Sequence, residues 1–409
     1  MSDAERLDPA QHPWLQKDAL RCIFRAIRAA GGEARVVGGA VRDSLLGRPV
    51  NEFDMAVNLP PEKVMGALTA AKIKVVPTGI DHGTVTAVID HKGYELTTLR
   101  HDLETDGRHA KVAFTDDWQA DAARRDFTMN ALYVDEAGKI YDYFDGRKDL
   151  KEGRVRFIGE ARARIQEDHL RILRFFRFYS CYGKGAADEI GLVASKELAS
   201  LIPTLSAERI WREVIKLLGA GNPLPTWKLM IDNDVLSYTL PQALNISRLE
   251  NLLALEKQHD REPSALVRLA ALLPKDAKAA STVAEEMKLS KREAETLQIL
   301  AILPDQLKGK LDPVPFRSKL YEHGVEVTEE AALLLATEDR SADIKTALEV
   351  ASLWDSPSLP IQGEDILRLG VAAGPKVGQI LRHVEAWWMI EDFRPNRDEC
   401  LSEARKHIA

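Results

Sequence analysis

"VVGGAVRDSLLGRPVNEFDMAV", residues 36 to 57, sets two adjacent glycines before a helix-forming run and then two acidic residues one position apart. An extended strand alternates its side chains between faces, so Glu52 and Asp54 are expected on one face while Phe53 and Met55 enter a core. Two carboxylates side by side repel unless a cation lies between them. Mg²⁺ takes oxygen ligands, commonly one or two carboxylates completed by substrate phosphates, and a pair of such ions clamps the attacking and leaving oxygens of a phosphoryl displacement. Gly38 and Gly39 permit close approach of a backbone to a triphosphate, and the helix they open offers N–H groups, with Arg42 in its first turn. Either half alone is an ordinary glycine turn or a solvated acidic strand. Together, at this spacing, they point to nucleotidyl transfer, with Glu52 and Asp54 as metal ligands.

The rest of the chain bounds this reading. At 409 residues it exceeds what one core usually organises, so two to four structural units are expected. Hydrophobic residues make up 45% and charged residues 29%, and no apolar run approaches a membrane span, so no membrane partner is expected. The opening MSDAERLDPAQHPW is acidic and lacks the pattern of a secretory signal, which predicts a cytoplasmic protein. Cys22, Cys181 and Cys400 form no CxxC pair and are expected as buried thiols rather than disulfide or zinc ligands. A net charge of −7 gives no global attraction to nucleic acid, so such a partner must meet a local basic surface. No obligate protein partner is inferred.

Up to about residue 150, helical runs alternate with strand-like runs such as "KIKVVP", "GTVTAVID", "YELTTL" and "NALYVD". Beyond residue 160 the pattern is helical, with long stretches at Ser206–Leu218 and Ser281–Leu303 and breaks near 220–225 and 304–315. The segment 100–114 reads as a mobile loop or an ordered surface hairpin. His259 and Asp260 spell HD, but residues 220–258 supply no histidine for a metal phosphohydrolase site.

"GGAVRDSLLGRPVNEFD" resembles the first signature of the tRNA nucleotidyltransferase and bacterial poly(A) polymerase family, a branch of the polymerase beta superfamily. The resemblance continues through "HGTVTAVI", "YELTTLRHD", "RRDFTMNAL", "YDYFDGRKDL" and "IQEDHLRILRFFRFY", in order across residues 38–179. It implies an α+β fold: a nucleotidyltransferase head with a mixed sheet (1–150), followed by an all-helical neck (151–219), body (220–310) and tail (311–409). The implied activity is addition of CMP, CMP and AMP to tRNA 3′ ends from CTP and ATP with Mg²⁺. Poly(A) synthesis, partial CC or A addition, or a non-catalytic RNA-binding relative are the alternatives. The family usually carries aspartate at both positions of the acidic pair. Glu52 departs from that, its extra methylene moving the oxygens outward. Glu95, in "YELTTL", is either a third acidic group or a surface strand residue.

Seven arginines lie between Arg154 and Arg177, reversing locally the charge of the whole chain. Asp168 and Arg171 stand three apart, a spacing that projects both from one helix face, and Arg174 and Arg177 extend the ridge. The bland alternative is a set of intrahelical ion pairs such as Glu167 with Arg171. An ionised Asp only accepts hydrogen bonds and an Arg only donates, so the pair suits a base edge with an amino donor beside a ring-nitrogen acceptor. Cytosine and adenine offer that edge; uracil and guanine reverse it and leave polar groups unpaired. The family resemblance assigns this reader role to Asp168 and Arg171. Arg125, Arg174 and Arg177 are expected at phosphates or ribose, with Asp126 and Asn130 holding the surrounding loop. In the tail, the Gly374-Pro375 turn with Lys376 is either a tRNA phosphate contact or a tight turn between packed helices. Trp387 and Trp388 are either RNA-stacking or core residues.

Overall fold

The computed structural model describes residues 6–106, 109–339, 342 and 344–408. Its strands are β1 (Ala34–Val37), β2 (Asp54–Val57), β3 (Lys74–Gly79), β4 (Thr84–Ile89), β5 (Lys92–Thr98), β6 (Arg100–Asp106), β7 (His109–Phe114), β8 (Leu132–Val134) and β9 (Ile140–Asp142). Seven of them form one sheet in the order β3-β4-β5-β2-β1-β8-β9. The sheet is mixed because β2 and β5 run parallel while every other neighbouring pair is antiparallel. Central β1, reading Ala-Arg-Val-Val, is buried along its whole length. Between β4 and β2, β5 alternates, with Tyr94, Leu96 and Thr98 inside and Glu95 outside, the period-2 pattern of a half-buried strand.

Four helices accompany the sheet: α1 (Asp18–Ala29), α2 (Gly39–Leu45), α3 (Pro61–Ala70) and α4 (Trp118–Ala123). Helix α1 buries Leu20, Ile23, Phe24 and Ile27, an i, i+3, i+4, i+7 stripe. The head core gathers Val37, Ala56, Leu99, Trp118, Ala122, Tyr133 and Ile158. Arg35 is buried as well, its guanidinium 3.8 Å from the ring centre of Trp118 and 3.6 Å from that of Tyr141. Segment 100–114 is the β6–β7 hairpin, with residues 107 and 108 outside the described residues.

From Gly146 onward every regular element among the described residues is helical. The first of these are α5 (Gly146–Glu152), α6 (Ala161–Glu167), α7 (Leu170–Tyr182), α8 (Glu189–Glu197) and α9 (Ala207–Leu218). Asp142 accepts hydrogen bonds from the backbone N–H groups of Phe144, Gly146 and Arg147, tying the last strand to α5. A Cβ at Gly146 would lie 2.2 Å from the carbonyl oxygen of Thr128, so only glycine fits there.

The chain divides into two compact units, Met1–Thr239 and Leu240–Ala409. The second has a terminal core of Ile361, Ile366, Ile380, Val384, Trp388 and Cys400. Trp388 is buried and donates its indole N–H to Pro395 O at 3.0 Å, which settles it as a core residue.

Three local expectations are corrected. Ser281–Leu303 is not one helix: Ala277–Glu286 ends, Lys288 turns with φ of 51°, and Lys291–Gln306 restarts under a Ser290–Glu293 capping box. Asp168 is not on a helix; its backbone is extended between α6 and α7. Only Cys400 is a buried thiol, whereas Cys22 is exposed and Cys181 half-buried.

Candidate active site

Gly38 has φ of 72°, a conformation that disfavours side chains, and it turns the chain from β1 into α2. Opposite, β2 begins at Asp54. The expected alternation extends one turn of pleat ahead of the strand: Glu52 and Asp54 are accessible, Phe53 and Met55 buried. Asp54 stands directly beside Glu95 in the parallel β2–β5 register, so both carboxylates leave the same face. The structure thus brings Glu95 into the acidic group.

Asp54 is solvent-accessible, yet its carboxylate lies in a recess with protein around it. That desolvation pushes its pKa up, Glu52 pushes further, and the Arg125 charge opposes both. Glu95 is raised by burial and then by the charges of Asp54 and Glu52. Burial is the larger cause in both, and the neighbouring carboxylates add to it. Among the described residues, no three potential ligands close into a preformed metal cage.

Asp54 opens onto a cleft of about 470 Å³ that is also lined by Gly38, Gly39, Arg42, Arg125, Asp168, Arg171 and Arg174. Six arginines face three aspartates there, so the cleft is cationic inside an anionic chain. Glu52 and Arg177 are not among its lining residues. Arg177 pairs with Glu213 of α9 and lies 4.3 Å from the Phe178 ring centre. The reason is helical pitch: six residues carry Arg177 about 120° round α7 from Arg171.

Two buried networks hold the walls. Arg42 donates to Asn130 Oδ1 at 2.7 Å and to both oxygens of Asp43, with its guanidinium 4.3 Å from the Tyr182 ring centre. Asn130 donates to Asp126 at 2.9 Å, and Arg174 reaches the other Asp126 oxygen at 2.7 Å. Burial would raise the Asp126 pKa. Arg174, Asn130 and the Phe127 N–H outweigh that and hold it down at about 2. The second network sets Arg124, Arg125 and the Tyr133 hydroxyl around Asp121. Burial again opposes ionisation there, but the two arginines and the tyrosine depress Asp121 to about 2. Phe127 packs on Phe157 and Phe178 at 4.8 and 5.1 Å, locking α7 to the loop that carries Arg125 and Asp126.

Asp168 and Arg171 meet in the cleft, each with protein partners. Asp168 accepts from Leu170 N–H at 3.2 Å through Oδ1 and from Arg209 Nη2 at 2.8 Å through Oδ2. Arg171 donates to Glu167 at 2.6 Å and to the carbonyls of Arg164 and Arg124 at 2.8 and 3.3 Å. The expected Glu167–Arg171 ion pair therefore coexists with the placement in the cleft. Arg124 and Arg209 also line the site, and Glu213 supports it, though the sequence reading passed over all three. Arg209 sits forty-one positions from its partner, a distance that no spacing rule covers.

Residues 34–156 match a family model described as the poly A polymerase head domain, and residues 192–246 match one described as a probable RNA and SrmB-binding site of polymerase A. The mitochondrial CCA tRNA nucleotidyltransferase 1 of Homo sapiens is 34% identical, the match covering 98% of this chain and 93% of that protein. A CCA-adding enzyme of Levilactobacillus brevis is 30% identical over 94% of this chain and 96% of its own. The Bacillus stearothermophilus CCA-adding enzyme, solved in complex with CTP, superposes with a TM-score of 0.75 at 27% identity, covering 98% of each chain. Identity of this extent along nearly the whole chain, on a polymerase-type head whose acidic strand faces a cationic cleft, shows that the protein belongs to the tRNA nucleotidyltransferase family of the polymerase beta superfamily.

Proposed function

We propose that this protein adds CMP, CMP and AMP in turn to the 3′ end of tRNA, taking CTP and ATP, releasing pyrophosphate and using no nucleic-acid template. The observation that carries the reading is one cleft holding Asp54, the Gly38–Gly39 turn, and the Asp168–Arg171 pair. Relatives matching along the whole chain are named for CCA addition, which favours this over poly(A) synthesis, whose head type is shared.

Enzymes of this superfamily use divalent cations, and Mg²⁺ is the proposed ion. Glu52 and Asp54 would hold it, with Glu95 beside them; three clustered carboxylates that raise Asp54 and Glu95 fit a cation, and substrate phosphates would complete its shell. Held there, it would supply Lewis-acid activation of the 3′-hydroxyl and charge neutralisation for the departing pyrophosphate. Arg42, Arg125 and Arg174 supply a fixed positive wall for the triphosphate, and Gly38 and Gly39 let the backbone approach it. Arg177 serves indirectly, through its pair with Glu213, which also faces Arg174 at 3.8 Å.

Asp168 accepts from the amino group of cytosine or adenine, and Arg171 donates to the adjacent ring nitrogen. A guanidinium has five N–H donors, and the present contacts of Arg171 use three. The head, neck, body and tail at 1–150, 151–219, 220–310 and 311–409 belong to the same proposal, supported by the change from strands to helices after Asp142. No described helix is long and apolar enough to cross a membrane. The cytoplasm is the proposed compartment, to be checked by fractionation because the vertebrate relatives are named as mitochondrial.

Replacing the reader tests the reading. Asp168→Ala should cut the preference for CTP over UTP by at least about tenfold, in line with the loss of one buried hydrogen-bond partner. Triphosphate affinity should change much less. A folded variant with its four-nucleotide preference intact would refute the assignment.

A further inference from the structure

From the contact between α9 and the α6–α7 break, we infer that Arg209 is a specificity-determining positioning residue, which locks the Asp168 carboxylate so that water cannot rescue a mispaired base. The inference rests on the reader role proposed above for Asp168. Asp168 sits outside both helices in extended backbone, and of the two only the first residue of α7 touches its side chain. Two donors hold the carboxylate: the Leu170 N–H at Oδ1, 3.2 Å, and Arg209 Nη2 at Oδ2, 2.8 Å. The first is local and long. The second comes from another helix, and about a fifth of each side chain is accessible, 23% for Arg209 and 21% for Asp168.

Rejection of uracil depends on the carboxylate staying where it is. Uracil presents a carbonyl oxygen where cytosine has its amino group, so acceptor meets acceptor. A carboxylate free to swing back would admit a water that donates to both oxygens, and such a bridge is nearly as favourable as a direct hydrogen bond. Held at both oxygens, Asp168 leaves no room for that escape. Arg209 lines the same cleft and spends its contact on the Asp168 carboxylate, which leaves Arg171 to meet the ring nitrogen.

The geometry assigns Arg209 a single donor atom to this task, so lysine is predicted to replace it. The test measures single-nucleotide addition to tRNA lacking its 3′ CCA, with CTP and UTP supplied separately, for the parent, Arg209→Gln, Arg209→Lys and Asp168→Ala. Arg212→Gln, an exposed arginine on the same helix, is the control. Arg209→Gln should lower the CTP:UTP ratio of kcat/KM at least tenfold, mainly by raising UTP use, with Tm within a few degrees of the parent. Arg209→Lys should recover most of the ratio, and Arg212→Gln should keep it. If Asp168→Ala relaxes the ratio while Arg209→Gln retains it, the lock is overturned and the reader stands. If Asp168→Ala itself retains the ratio, the reader reading fails and takes the lock with it. A uniform fall in CTP and UTP use by Arg209→Gln, unrepaired by lysine, would reduce Arg209 to a structural contact and also overturn the inference.

Discussion

Asp54 occupies the first position of β2 with Glu95 at its side and Glu52 two residues ahead; burial and then the Glu52 charge raise Asp54, and burial and then the charges of Asp54 and Glu52 raise Glu95. Removing Asp54 relieves repulsion without opening a cavity. Asp54→Ala should therefore fold with an unchanged or higher Tm while nucleotidyl transfer falls by about 10³-fold or more, the scale seen when a principal electrostatic group is lost. Normal turnover would sink the metal assignment. Glu52→Asp should retain or raise activity, since it shortens a ligand arm and keeps the carboxylate. Asp126 behaves differently because it is buried and paired. Its folded pKa of about 2 lies below the ordinary 3.8, so the stability it contributes is present above pH 4 and lost as pH falls through 2. Asp121 adds a parallel loss, each on the order of 2 kcal/mol. Asp126→Asn should cost about 3 kcal/mol at neutral pH by leaving Arg174 only its longer, 3.8 Å contact with Glu213, and should flatten the acid limb of a Tm–pH curve. An unaltered acid limb would contradict the pairing. The acidic pair and the glycine turn were legible as residue types with a shared chemistry, and so were Asp168 and Arg171 by type, although Asp168 stands off the helix that their spacing implied. Arg209 and Glu213 were not, because their partners arrive through tertiary packing.

At the scale of elements, periodicity served well where one face is buried and poorly where caps decide. The strand-like runs at 72–77, 83–90, 94–99 and 130–135 all contain strands, as their alternation predicts. Strand β1, buried along its whole length, and β9 show no alternation to read. The split at 287–290 carried a readable signal, Ser290 three before Glu293, hidden within an otherwise continuous helical composition. Ser290→Ala should cost about 1 kcal/mol, measurable by urea unfolding, and an unaffected midpoint would mean the box adds nothing. The Asp168 break had no comparable mark. Its run of Glu, Asp, His and Leu is compatible with helix, and in the structure Asp168 turns one oxygen to the Leu170 N–H that opens α7 and the other to Arg209.

Over the whole molecule, the change from a mixed sheet to helices was visible in the sequence because strand alternation simply stops after the last head motif. The tail was ambiguous. In the structure Lys376 donates to the carbonyl of Ile408 at 2.9 Å, which favours the architectural turn. Lys376→Glu should accordingly leave the salt dependence of tRNA binding unchanged, whereas loss of a phosphate contact would lower the slope of log K against log salt by about one. The central claim is that one cleft chooses C, C and then A without a template. Its most direct measurement is sequencing of the products formed when the purified protein meets tRNA lacking its CCA end and all four nucleoside triphosphates at equal concentration. The account predicts that extension stops at CCA, with uridine and guanosine rare. Long adenosine tails, random addition, or no extension by folded protein with Mg²⁺ would contradict it.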